Sequence, residues 1–173
     1  QNLLKSMEII KLSRVALEKA VKVISAGGVV VCPSDTVYGL VADAINKKAV
    51  ERIFKIKRRP EKNTLPVFVD NIEMAKELAI LDEKQKEFLE QSWPGAKTIV
   101  LKARPGIKIS KLLIRNGTVA LRVPDDRFIL NLILELGVPL AQTSANISGK
   151  KTFYGVKEIL EQKLPITSYL SFN

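Results

Sequence analysis

The chain has 173 residues, 46% of them apolar and 27% charged, a composition of a soluble globular domain rather than a disordered tail. Its 28 lysines and arginines against 18 acids leave a formal charge of +10, which points to polyanionic partners such as nucleotides or RNA. Histidine is absent, excluding imidazole acid–base chemistry and histidine-ligated metals; the single cysteine suits a reducing cytoplasm, and no run nears the ~20 apolar residues of a membrane span.

In chain order, the apolar spacing predicts a helix over 12–26, with Ser13 as N-cap and Gly27-Gly28 as its stop. The β-branched run Val29–Cys32 reads as a strand buried on both faces. The polar segment Pro33–Leu40 reads as a loop at its carboxyl end. A second helix over 44–57 is capped by Asn46 and broken by Pro60. A strand over 65–69 and a short helix over 72–79 follow. Asp82 caps a charged helix running to 91 or 92, and Trp93–Ala96 forms a packing turn. Strands are expected over 98–102 and 118–123, with a loop from 103 to 117 between them. Asp125 or Asp126 opens a helix that Gly137 stops, and 138–142 is the next strand. A last helix over about 155–162 and an edge strand in the tail, 166–173, complete the reading. The alternation of element types favours one α/β domain with a mixed sheet spanning 1–173.

Few residues offer chemistry. Ser34, Asp35, Thr36 and Tyr38 put hydroxyls, a carboxylate and a phenol in one loop, beside Gly39, which permits close backbone approach. Lys57 and Arg59, at a helix end, can surround one anion with a compact charge and a bidentate fork. Both are expected at the surface. Arg122 lies in an apolar strand, where it needs a partner, either an acid such as Asp125 or a substrate carboxylate. Ser144 and Asn146 add a hydroxyl and an amide before Gly149. No Gly-Lys-Ser/Thr phosphate loop and no Gly-x-Ser-x-Gly elbow occurs, so Ser144 fits anion coordination better than nucleophilic attack.

Five motifs in order resemble the YrdC-like family of threonylcarbamoyl-AMP synthases, over about residues 9–163. They are Pro33–Leu40, the pair Lys57 and Arg59, the turn Trp93–Thr98, the strand end Arg122–Pro124, and the pair Ser144 and Asn146. The chain departs from the family pattern at Ser34, Thr64 and Ala96, none of which removes a charge. The resemblance implies a twisted open mixed sheet flanked by helices, with a basic concave face. It implies a nucleotidyltransferase that makes threonylcarbamoyl-AMP and pyrophosphate from L-threonine, bicarbonate and ATP with Mg2+. A threonylcarbamoyl transferase then uses the product at adenosine 37 of tRNA. By motif position, Thr36, Tyr38, Arg122 and Ser144 would hold threonine. Lys57 and Arg59 would be catalytic and, with Asn63, Thr118 and Asn146, would hold ATP, and no all-protein metal site is expected. The alternative is a non-catalytic protein that binds double-stranded RNA or tRNA on its basic face. A carbamoyl-adenylate module of hydrogenase-maturation carbamoyltransferases is disfavoured, because one cysteine and no histidine leave no zinc sites.

Overall fold

In the computed structural model, residues 8–146, 149 and 168–171 are described. The elements are β1 (Glu8–Lys11), α1 (Arg14–Ser25), β2 (Val30–Cys32), β3 (Gly39–Asp43) and α2 (Lys47–Lys57). Then come β4 (Val67–Phe68), α3 (Ile72–Leu78), β5 (Ala79–Ile80), α4 (Glu83–Ser92) and β6 (Ile99–Ala103). A 3-10 turn (Lys111–Leu113), β7 (Ile114–Arg115), β8 (Thr118–Arg122), α5 (Arg127–Leu136), β9 (Leu140–Ser144) and β10 (Ser168–Ser171) complete the order.

All described strands join one ten-stranded sheet in the order β1-β10-β2-β3-β9-β4-β8-β6-β5, with β7 paired to β8. The sheet is mixed: β10 runs parallel to β1 and β2, and β4 parallel to β8, while the other pairings are antiparallel. This is the α/β, helix-flanked open sheet that the motifs imply.

The side-chain alternation of the strands builds two cores. On one face, α1 and α5 bring Leu17, Ala20, Ile24, Ile129, Leu132 and Ile133 onto Val30, Cys32, Val41, Phe68 and Leu140. On the other face, Val50, Ile53 and Phe54 of α2, with Leu89 of α4, cover Val31, Leu40, Val67 and Leu121. Burial on both faces is why β2 reads as an uninterrupted apolar run.

The helices begin where their caps dictate. Ser13 accepts the Ala16 N–H at 3.2 Å, Asn46 that of Ala49 at 3.1 Å, and Asp126, rather than Asp125, that of Ile129 at 2.8 Å. At α4, Asp82 accepts the Gln85 N–H at 2.7 Å while the Gln85 side chain accepts the Asp82 N–H at 3.0 Å, a complete capping box. Asp82→Ala is therefore expected to lower unfolding free energy by about 1 kcal/mol, read from urea midpoints at constant slope.

Several expectations are corrected. Gly39 and Leu40 are not loop but the start of β3, since Gly39 pairs with Ser144 of β9. The strand expected over 138–142 lies later, at 140–144, so Ser144 sits at a strand end. The tail strand is interior rather than an edge: β10 lies between β1 and β2, and among the described strands the edge is formed by β1, a segment of four residues with no strand pattern of its own. The short strands β5 and β7 were equally invisible to periodicity, being too brief to carry a pattern. The helix expected over 155–162 lies outside the described residues.

Candidate functional site

The site forms where α2 ends against β9. Arg58 takes a left-handed φ of 50°, so α2 stops at Lys57, ahead of Pro60, and the Arg59 N–H returns to the Phe54 carbonyl at 2.9 Å. Although α2 packs on one face of the sheet, its last residue turns to the end of β9. Lys57 Nζ donates to the Ser144 carbonyl at 2.9 Å, Ser144 Oγ at 3.2 Å and Asn146 Oδ1 at 2.8 Å. Ser144 Oγ in turn donates to Asn146 Oδ1 at 2.7 Å. Lys57 is thus buried, 2% exposed, and not at the surface as expected, because β9 runs on through Ser144 beneath it.

Every one of these acceptors is neutral. A buried ammonium without a carboxylate carries an uncompensated charge, and its burial, followed by repulsion from Arg59, brings the Lys57 pKa down to about 8. Burial also lowers the Arg59 guanidinium from its ordinary value. Arg59 Nε donates to the Asn63 carbonyl at 2.6 Å and Nη2 to the Thr64 carbonyl at 2.8 Å, which folds the 60–64 loop beside the cations. Two cations held near each other by neutral oxygens form a site for a polyanion.

A second group gathers around Arg122. Its Nη1 donates to Asp35 Oδ1 at 3.0 Å, Asp35 Oδ2 at 3.1 Å and the Gly95 carbonyl at 3.1 Å, and its guanidinium lies 4.8 Å from the Phe68 ring centroid. The partner is Asp35, 87 positions away, and not Asp125; the Asp125 N–H instead donates to Asp35 Oδ2 at 2.9 Å. Neighbouring Thr36 is exposed, and its hydroxyl lies 3.2 Å from Ser34 Oγ, which donates to the Val37 carbonyl at 2.7 Å. Tyr38 is buried in the core at 6% exposure, and its carbonyl accepts the Ala145 N–H at 2.8 Å, tying this loop to the Ser144–Asn146 segment.

Strand pairing relates the two groups. Ser144 and Gln142 share a face of β9 with Leu140, and the register carries that face through Phe68 to Arg122, Ala120 and Thr118 of β8 and on to Val100 and Lys102 of β6. Helices α1 and α5 cover the part around Phe68 and Leu140. The part beyond is open: Val100 is 63% exposed and Lys102 exposed.

Lys57, Ser144 and Asn146 are therefore brought into direct contact, with Arg59 close by, while Arg122 and Thr36 meet through the loop that holds Asp35. Asn63 is exposed and joins by its main chain. Thr118 shares the open face, but its hydroxyl is committed to the Arg115 carbonyl at 2.7 Å. In the sequence Asp35 is no more than a loop carboxylate; the signal that it matters is Arg122, an arginine in a buried strand that requires a counter-charge. Cys32 is fully buried, and burial with the Asp126 charge pushes its thiol far up, so it is inert. Among the described residues, no cluster of three or more acids or cysteines could hold a metal, and no helix is long and apolar enough to cross a membrane.

A family model for Sua5, YciO and YrdC proteins, described as telomere recombination, matches residues 22–170. The chain belongs to the Sua5/YciO/YrdC family. It is 36% identical over 154 residues to a putative threonylcarbamoyl-AMP synthase of Methanocaldococcus jannaschii, covering 89% of this chain and 72% of that relative. It is 38% identical over 135 residues to the threonylcarbamoyl-AMP synthase of Bacillus subtilis, covering 78% of this chain but only 39% of that protein. Among solved structures, P. abyssi Sua5 complexed with L-threonine superposes with a TM-score of 0.89 at 30% identity, over 96% of this chain and 51% of that one. The chain thus spans about half the length of that structure and less than half of the Bacillus relative.

Proposed function

We propose that this family member is a threonylcarbamoyl-AMP synthase, a nucleotidyltransferase whose chemistry is carried by residues of this domain. Support comes from its relatives' names and from one observation above all. The Lys57 ammonium is 2% exposed and, among the described residues, has only neutral acceptors, beside Arg59, which is the electrostatics of a polyphosphate site.

In this reading the L-threonine amine and bicarbonate combine, with loss of water, to a carbamate. A carbamate oxygen attacks the α-phosphorus of ATP and pyrophosphate leaves, giving the mixed anhydride. No protein nucleophile is required; the residues orient the partners and offset charge on the phosphates. Lys57 and Arg59 act on the phosphates, with Asn146, Asn63 and Thr118 along the nucleotide. Thr36, Tyr38, Arg122 and Ser144 hold threonine. ATP enters as its magnesium complex, the ion carried by phosphate oxygens and water. The product goes to a threonylcarbamoyl transferase acting on adenosine 37 of tRNA, in the cytoplasm. No observation favours RNA binding as the primary role.

Pyrophosphate release from ATP, in bicarbonate and Mg2+, is expected to require L-threonine, with L-serine as control. Release independent of threonine, or none at all, would refute the reading. A pH profile gives a second check. Lys57 is charged below about pH 8 in the free protein, so kcat/KM for ATP should fall about tenfold per pH unit above that value. In kcat the same limb should move to higher pH, because bound phosphate stabilises the ammonium.

A further inference from the structure

Two basic groups in this molecule differ in one respect. Among the described residues, Lys57 and Arg59 have only neutral oxygens as hydrogen-bond partners, whereas Arg122 is matched by a carboxylate, the Arg122 and Asp35 side chains being 5% and 11% exposed. The geometry of that match is informative. A two-pronged arginine–carboxylate pair uses two guanidinium nitrogens. Asp35 instead places both oxygens on Nη1, and the Gly95 carbonyl converges on the same atom. These partners leave the Nε–Nη2 edge to another acceptor, while the Phe68 ring stacked at 4.8 Å and the pinned Nη1 fix the plane in which that edge lies. Asp35 is itself held by the Asp125 N–H at 2.9 Å.

We propose that Asp35 is a positioning and specificity-determining residue: it pins Arg122 through Nη1 and offsets its charge, so that the free edge takes the carboxylate of the amino-acid substrate and the phosphates go to Lys57 and Arg59. The inference rests on the synthase reading for the identity of that substrate. The physical reason is the difference between a fork and a field. A planar donor edge of an almost neutral pair binds a monoanionic carboxylate by directed hydrogen bonds. A polyphosphate is drawn by net charge, which the Arg122–Asp35 pair lacks and the Lys57–Arg59 pair has.

The test is Asp35→Asn, which keeps the shape and removes the charge. The KM for L-threonine is expected to rise tenfold or more with the KM for ATP within twofold. Inorganic tripolyphosphate, competitive only with ATP in the wild type, should become competitive with threonine as well. An unchanged threonine KM, or equal rises for both substrates, would overturn the proposal, since a loss of folding alone would not separate them. Asp35→Glu, which restores the charge, should recover part of the threonine affinity.

A measurement on the wild type covers the case where the variants do not fold or the protein releases no pyrophosphate. The Arg122 Nε–H resonance should gain protection from exchange when L-threonine or acetate is added, since Asp35 and Gly95 hold only Nη1 beforehand. It should shift with L-threonine or acetate and not with tripolyphosphate. No gain in protection with either carboxylate, or an equal shift with tripolyphosphate, would refute the assignment. If Arg122 responds to carboxylates while the protein makes no pyrophosphate, the synthase reading fails and the role of Asp35 stands.

Discussion

Lys57→Met is expected to lower kcat/KM for ATP by about 10²–10³, the usual consequence of removing a preorganised donor from a developing anion. The same variant should fold about as well as the wild type. Burial, and after it the Arg59 charge, brings the Lys57 pKa from 10.5 to about 8, a penalty on the order of 3 kcal/mol at neutral pH that methionine relieves. Against that, the Ser144 carbonyl and Asn146 Oδ1 each lose one hydrogen bond from a charged donor, at about 1.5–3 kcal/mol apiece, while keeping the Asn146 N–H and the Ser144 hydroxyl as donors. The terms oppose each other and are of similar size, so the melting temperature should move by a few degrees at most. Activity lost with stability kept would mark Lys57 as functional; activity kept would remove it from the site.

The pH dependence of stability supplies an independent check, and its sign is fixed. The unfolded chain holds the Lys57 proton up to about pH 10.5, while the folded protein releases it near 8. Between those values the unfolded state binds more protons, so unfolding free energy should rise with pH in the wild type relative to Lys57→Met. A difference that is flat from pH 7 to 10 would show that the ammonium is not desolvated.

Arg59→Ala is the second large effect, with a loss of about 10²-fold in kcat/KM for ATP. Two causes combine: one cation of the proposed phosphate site disappears, and the 60–64 loop loses the bonds to the Asn63 and Thr64 carbonyls. A separate signature distinguishes the electrostatic part. Arg59 is the second cause, after burial, of the low Lys57 pKa, so its removal should carry the alkaline limb of the kcat/KM profile above pH 8. The shift should be partial, since burial remains. Arg59→Lys, which keeps the charge but not the fork, should leave the limb in place while still losing affinity. A limb that does not move with Arg59→Ala would mean that the two cations do not act on one another.

The helices were legible because their signals are local. Ser13, Asn46 and Asp82 cap their helices, and Gly137 closes α5 at a φ of 69° that glycine adopts without strain. The candidate site was legible as an inventory for a comparable reason. A chain without histidine, carrying an unusual pair of cations and an arginine inside an apolar strand, has few ways to do chemistry, and Lys57, Ser144 and Asn146 proved to be mutual neighbours.

Length, charge, helix boundaries and the short roster of chemically capable side chains were determined by the sequence itself, since each depends on residues within a turn or two of one another. Tertiary structure alone decided that Lys57 is buried rather than exposed, that the counter-charge of Arg122 is Asp35 rather than Asp125, and that β10 enters between β1 and β2. Those outcomes depend on contacts between residues far apart in the chain, 87 positions for Arg122 and Asp35, 89 for Lys57 and Asn146, and from Glu8 to Ser168 for β1 and β10. Strand order and register bring such groups together, and a side chain's burial and counter-charge are set by what the sheet lays beside it rather than by its neighbours along the chain.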